Sequence, residues 1–152
     1  MIALLQRVRQ ASVSVAEQPI AAIGAGLLVL VGVQRGDSEA QAERLLERLL
    51  GYRVFADGEG RMNRSLTDTG GGLLLVPQFT LAADTRKGSR PSFTPAASPE
   101  QGGALFHYLC QAAQRHSGEL AFGRFGADMQ VALVNDGPVT FWLEVPPPAR
   151  GG

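Results

Sequence analysis

Residues 72–93 read GLLLVPQFTLAADTRKGSRPSF, and their interpretation decides the fold. Leu73, Leu74, Leu75 and Val76 form an unbroken apolar run, the pattern of a strand buried on both faces. Pro77, Gln78 and Thr80 stand where that strand should end. A polar, basic loop follows, with Asp84, Thr85, Arg86, Lys87 and Arg90. A buried strand that delivers polar groups at its tip is a rigid platform for a site.

The N-terminal flank reads as strands. Ile2, Leu4, Gln6 and Val8 begin one, and Val13 and Val15 alternate with Ser12, Ser14 and Ala16 in the next, which predicts a half-buried antiparallel hairpin. Ile20 to Ile23 predicts a third strand, turned by Gly24 and Gly26. No helix start follows those glycines, so a tight turn is favoured over a phosphate loop. Residues 27–33 are continuously apolar and predict a central strand. Residues 37–51 predict a helix: Ser38 and Gln41 form a capping box, Ala42, Leu45, Leu46, Leu49 and Leu50 share a face, and Gly51 suits a left-handed stop. Residues 52–68 are turn-rich. Asp57 and Glu59 lack the spacing of an EF-hand loop, so turn chemistry is favoured and no metal is expected.

The C-terminal flank opens with a second helix, capped by Ser98, with Pro99 at its first position and Gln101 at its third. Leu105, Phe106, Leu109, Ala112 and Ala113 form its buried stripe, and Cys110 reads as a core residue. Both histidines, His107 and His116, fall on this helix, and nothing local supports a Ser-His or Cys-His pair. Strands follow around Leu120 and Phe122, over 130–134 and over 139–145. Between the last two, NDGP at 135–138 is a turn signal in which a cis X-Pro bond fits. Residues 146–152, PPPARGG, are expected to be a disordered tail beyond a single domain of residues 1–145. The fold class expected is α+β: a mostly antiparallel, barrel-like sheet with two main helices.

Composition narrows the function classes. The chain has 152 residues, 45% hydrophobic and 18% charged, a globular profile. Lys+Arg and Asp+Glu are 14 each, so no global basic field supports indiscriminate nucleic-acid binding, although the 84–90 loop is locally basic. A single cysteine excludes an intrachain disulfide framework. With no secretory start and no apolar run of spanning length, a cytoplasmic location without membrane contact is expected.

PQFTL at residues 77–81 and NDGPVTF at residues 135–141 together resemble the D-aminoacyl-tRNA deacylase family. IALLQRV, LVGV, YRVF, MNRSL, ADTRKGSRPSF and FGADMQV extend the resemblance over nearly the whole chain, in order and at matching spacing. The resemblance implies a homodimer, without cofactor, that hydrolyses the ester joining a D-amino acid to the 3′ end of tRNA, with its active site at the subunit interface. It implies that Gly137 and Pro138 form a cis unit reaching into the partner subunit's site, where main-chain carbonyls leave no room for an L side chain. Such a filter cannot exclude glycine, so glycyl-tRNA is an expected substrate.

In that reading, Phe79 and Thr80 supply main-chain N–H donors to the reacting carbonyl, Gln78 helps hold the substrate, and the terminal ribose 2′-OH helps activate water. Arg86, Lys87 and Arg90 are candidates for acceptor-end phosphates, and Phe125 and Met129 for the terminal adenosine. The family's usual serine before Gln78 is Pro77 here, which has neither hydroxyl nor backbone N–H. The chain is nevertheless expected to be active, which makes that hydroxyl dispensable. Two alternatives stay open: an esterase of small acyl esters using Thr80 or Ser92 as nucleophile, and a non-catalytic tRNA-binding module.

Overall fold

In the computed structural model, which describes residues 1–149, the apolar run is β6 (Gly72–Pro77), buried on both faces. Leu73 and Leu75 join the larger core, under α1 (Glu39–Gly51) and α3 (Pro99–Ala112). Leu74 and Val76 join a second core on the opposite face of the sheet. The neighbouring strand β3 (Gly26–Gly32) divides in the same way, with Leu27, Val29 and Val31 on the helix side and Leu28 on the other.

The sheet is built around β1 (Ile2–Val15). One edge of β1 pairs antiparallel with β3 through its first half and with β2 (Gln18–Ile23) through its second. Its other edge pairs antiparallel with β8 (Met129–Glu144) along nearly its whole length. From β3 the sheet continues in parallel through β6 to β7 (Leu120–Phe122), closing most of a barrel. A small hairpin of β4 (Phe55–Ala56) and β5 (Met62–Arg64), then α2 (Leu66–Thr69), fill the turn-rich stretch. The Asp57 carboxylate accepts bonds from the main chain of Glu59 and Arg61 and from the Asn63 side chain, so it closes a turn.

Both main helices begin as their caps predict. Ser38 and Gln41 make the reciprocal capping box of α1, and the Ser98 hydroxyl accepts from Gln101 N–H at the start of α3. Four expectations need correction. Gly51 is the last residue of α1 rather than a left-handed stop, because the chain leaves in extended conformation at Tyr52. Asp37 precedes the helix: its buried carboxylate takes a bond of 2.9 Å from the Met1 ammonium. Burial pushes that amine below its ordinary pKa, against the pull of Asp37.

The third and fourth corrections concern the strands. Residues 2–15 form one strand, not a hairpin. Ala3 and Leu5 face the helix-side core, whereas Val8, Ala11 and Val13 face the other core. The alternation skips a residue between Val8 and Ala11, where the ladder with β8 is also irregular. A bulge carries the strand from one core to the other without a turn. Likewise NDGP does not separate two strands. It lies within β8, which runs unbroken from Met129 to Glu144. Pro146 to Ala149 carry no regular secondary structure, and the rest of the expected tail lies outside the described residues. Among the described residues, no helix is long and apolar enough to cross a membrane.

Candidate active site

At the tip of β6 the chain tightens into a 3-10 turn, Phe79–Ala82. Gln78 N–H donates to the Val31 carbonyl at 2.7 Å, extending the β3–β6 ladder by one bond and pinning the turn's entry. Beneath the turn lies Gly32, so close that a Cβ there would stand 2.9 Å from Leu81 Cβ and 3.2 Å from Gln78 O. The first N–H groups of any helical turn lack intrahelical acceptors. Here no side chain caps them, which leaves Phe79 and Thr80 with main-chain donors available at the strand tip. The Gln78 side-chain amide is turned to the Thr80 hydroxyl, which accepts its hydrogen bond.

Pro77, Gln78 and Phe79 form one wall of a cavity of about 890 Å³. Ser98, Pro99, Gln101 and Gly102, at the cap and first turn of α3, line another side, and Phe125 and Met129 a further one. Of the site residues expected from the sequence, Pro77, Gln78, Phe79, Phe125 and Met129 share the cavity. Thr80 is exposed on the turn and does not line it. Phe93, Arg35 and Asp128 do line it and were not foreseen. Phe79 and Phe93 are exposed rings 5.2 Å apart at its mouth. Because Phe93 follows directly on the basic loop, its aromatic character was the available signal; Arg35, in a loop with no periodicity, offered none.

The basic loop is tied off at its base by paired main-chain bonds between Asp84 and Ser92. Its three cations are not equivalent. Arg86 grips Asp84 through two side-chain bonds of 2.9 and 2.8 Å. These bonds, joined by the Arg86 main-chain N–H, hold the Asp84 carboxyl down at about 2. Lys87 and Arg90 are exposed, and neither is in an ion pair among the described residues. None of the three lines the cavity.

Gly137 and Pro138 are also apart from the cavity. In the β1–β8 ladder Gln6 pairs with Thr140 and Val8 with Asn135, so Arg7 alone stands opposite residues 136–139, which bulge from the strand. The bulge is built from side chains the sequence reading overlooked. Arg7 Nε donates to the Asp136 carbonyl at 3.1 Å, and its Nη1 to the Val54 carbonyl at 2.7 Å. The Asn135 amide oxygen accepts from Val139 N–H, and its nitrogen donates to the Thr140 hydroxyl, both at 2.9 Å. Gly137 has φ +133°, and the Gly137-Pro138 bond is cis. Both residues are exposed. On the same strand Val131, Val134 and Trp142 are exposed, Trp142 by 51%.

The cysteine and the two histidines do not line the cavity. Burial pushes the Cys110 thiol up to about 12, so it is an inert core group. His116 is buried and its Nε2 donates to the Gly71 carbonyl at 2.7 Å, while His107 is exposed on α3. No cluster of three or more His, Cys, Asp or Glu suited to a metal occurs among the described residues.

The family model described as D-Tyr-tRNA(Tyr) deacylase matches residues 4–144. The D-aminoacyl-tRNA deacylase of Thioalkalivibrio sulfidiphilus is 69% identical over 97% of this chain and 99% of its own length. That of Alkalilimnicola ehrlichii is 66% identical over 98% and 99%. Among solved structures, a c-Myc DNA unwinding element binding protein superposes with a TM-score of 0.91 at 38% identity, covering 96% of this chain and 99% of that one. A probable eukaryotic D-amino acid tRNA deacylase superposes at 0.82 with 18% identity, over 95% and 98%, a likeness of fold alone.

Proposed function

The chain belongs to the D-Tyr-tRNA(Tyr) deacylase family, and on that footing we propose that it hydrolyses D-aminoacyl-tRNA at the cavity beside Gln78 and Phe79, using main-chain donors rather than a side-chain nucleophile. It is a hydrolase of the aminoacyl ester bond. The observation that carries the mechanism is the uncapped 3-10 turn at the tip of β6. Water attacks the ester carbonyl, and negative charge grows on the carbonyl oxygen. The N–H groups of Phe79, in the cavity wall, and of Thr80, next to it on the turn, stabilise that charge. A rigid donor pair at such a position is worth orders of magnitude in rate. The terminal ribose 2′-OH assists the water, the bond to the 3′ oxygen breaks, and that oxygen leaves with a proton.

Thr80 as a nucleophile is disfavoured by its surroundings. Its hydroxyl accepts from the Gln78 amide, and an amide N–H is no base. His116 is committed to Gly71, and neither it nor His107 lines the cavity beside the turn. Pro77 packs in the cavity wall in place of a serine, which is consistent with chemistry that needs no hydroxyl there.

The stereochemical filter is Gly137-Pro138 contributed by the partner subunit of a homodimer. Three features support this reading: the bulge projects from its strand, it does not line its own chain's cavity, and the strand that bears it exposes Val131, Val134 and Trp142. Its carbonyls reject an L side chain by obstruction, so glycyl-tRNA is cleaved as well as D-aminoacyl-tRNA. Phe125 and Met129 take the terminal adenosine, and Lys87 and Arg90 the acceptor-end phosphates.

Thr80→Val tests the mechanism. It removes the hydroxyl and keeps the main-chain donor, so kcat/KM on D-aminoacyl-tRNA should stay within about tenfold of the parent. Near-complete loss of hydrolysis with substrate binding intact would establish Thr80 as the nucleophile instead.

A further inference from the structure

Two adjacent glycines, Gly102 and Gly103, occupy the first half of α3. Glycine is the poorest helix former after proline, so a pair within a helix needs a reason. Phe125 supplies the reason. A Cβ on Gly103 would meet Phe125 Cδ1 and Cε1 at 3.3 Å and Cγ at 3.8 Å. A Cβ on Gly102 would meet the other end of the same ring, Cζ at 3.5 Å and Cε2 at 3.7 Å. The ring therefore lies flat across the bare backbone of both residues. It is 39% exposed and lines the cavity, so one face rests on the helix while the ring remains available to an occupant.

We propose that Gly103 is a positioning residue for the substrate's terminal base: with Gly102 it forms a recess in α3 that seats Phe125 at the depth where an adenine stacks on it. This rests on the reading that the cavity takes the 3′-terminal adenosine. The helix forgoes good helix formers at these positions, and in exchange the cavity keeps its width. The two contacts differ in tightness. At 3.5 Å and beyond, a Gly102 Cβ would be in ordinary van der Waals contact. At 3.3 Å to two ring atoms, a Gly103 Cβ would drive the ring a few tenths of an ångström toward the base. Stacking on an aromatic ring is a substantial part of single-stranded nucleotide binding, so that shift weakens binding and leaves the 3-10 turn and its chemistry alone.

The test sets helix stability against substrate affinity. Gly103→Ala should raise Tm by about 2–4 °C through better helix propensity. It should raise KM for D-aminoacyl-tRNA by about threefold or more at nearly unchanged kcat. Phe125→Leu, which retains apolar packing and removes the ring, should raise KM by about tenfold or more. In the Phe125→Leu background, Gly103→Ala should have no effect on KM, because it acts only through the ring. A parallel measurement uses an uncharged acceptor-stem RNA with 2-aminopurine as its terminal base, and its Kd should follow the same order. If Gly103→Ala leaves KM and Kd unchanged while Phe125→Leu raises both, the recess has no positioning role and the inference falls, with the adenosine site intact. If Phe125→Leu also changes neither, both fall. If the parent binds the RNA but does not hydrolyse D-aminoacyl-tRNA, the functional reading falls and the Kd series alone decides the recess.

Discussion

Gly32→Ala is the substitution that most directly probes whether the turn at the β6 tip acts as a rigid donor pair. Gly32 is buried at the end of β3, directly beneath residues 78–82. A Cβ would stand 2.9 Å from Leu81 Cβ, 3.2 Å from Gln78 O and 3.4 Å from Ala82 N. Carbon atoms prefer about 3.5–4.0 Å, so the turn must lift by roughly 0.6–1 Å. It has little slack, because Gln78 N–H is held to Val31 O at one end and Ala82 is buried at the other. Overpacking of this kind costs about 1–3 kcal/mol, which leaves the protein folded at 25 °C. A displacement near 1 Å at a reacting centre costs on the order of 10²-fold, similar to losing one oxyanion donor. Single-turnover hydrolysis of D-aminoacyl-tRNA at saturating enzyme is the assay, with urea unfolding as the check on folding. The rate constant should fall about a hundredfold, and the enzyme concentration at half-saturation should shift by no more than about threefold. A folded variant with a rate within about threefold of the parent would refute the reasoning, because chemistry would then not depend on where the turn sits.

Asp37→Asn leaves the buried Met1 ammonium without its counter-ion and should cost about 3–5 kcal/mol in denaturant unfolding, with kcat of the folded fraction unchanged. Gly137→Ala puts a Cβ 2.7 Å from Val139 Cγ2 and 3.1 Å from Arg7 Nη2, at a φ of +133° that L residues rarely adopt. The bulge should rearrange, and the ratio of D- to L-aminoacyl-tRNA hydrolysis should drop by about tenfold or more. Lys87→Ala and Arg90→Ala should each lower the slope of log affinity for tRNA against log salt by roughly 0.7–0.9, and Arg86→Ala by less, since its charge already sits on Asp84. The Asp84 carboxyl is held at about 2, below its unfolded value, so the pair is complete above the ordinary carboxylate range and is lost only as pH falls through about 2. The ranking of the three slopes should therefore be the same between about pH 5 and pH 8.

Much of this architecture is legible in local chemistry. The apolar run of β6, the Ser38–Gln41 capping box and the Ser98-Pro99 helix start each report a neighbourhood of only a few residues, and each folds as its chemistry dictates. The wall formed by Pro77, Gln78 and Phe79 follows from reading where β6 must end. What misled was chemistry that tertiary pairing overrides. NDGP is a turn signal in isolation, but pairing of β8 with β1 on both sides of it converts the turn into a bulge. The alternation of residues 2–15 breaks because β1 serves two cores, which a search for one period reads as two strands. The far side of the cavity was illegible for a different reason. Arg35, Phe93 and the start of α3 converge from separated parts of the chain, and neither periodicity nor motif marks their meeting. Arg7 sits in an ordinary strand pattern, and only the register opposite residues 136–139 reveals that it holds the bulge.

Hydrolysis of D-aminoacyl-tRNA whose terminal adenosine lacks the 2′-OH, measured beside the intact substrate and its L counterpart, tests the whole account most directly. If main-chain donors of Phe79 and Thr80 stabilise the charge and the substrate's own hydroxyl assists the water, the D ester is cleaved, the L ester is spared, and the 2′-deoxy D ester binds with similar affinity but reacts slower by about 10²-fold or more. Equal rates for the intact and 2′-deoxy D esters would contradict it, since the protein would then have to supply the missing base itself.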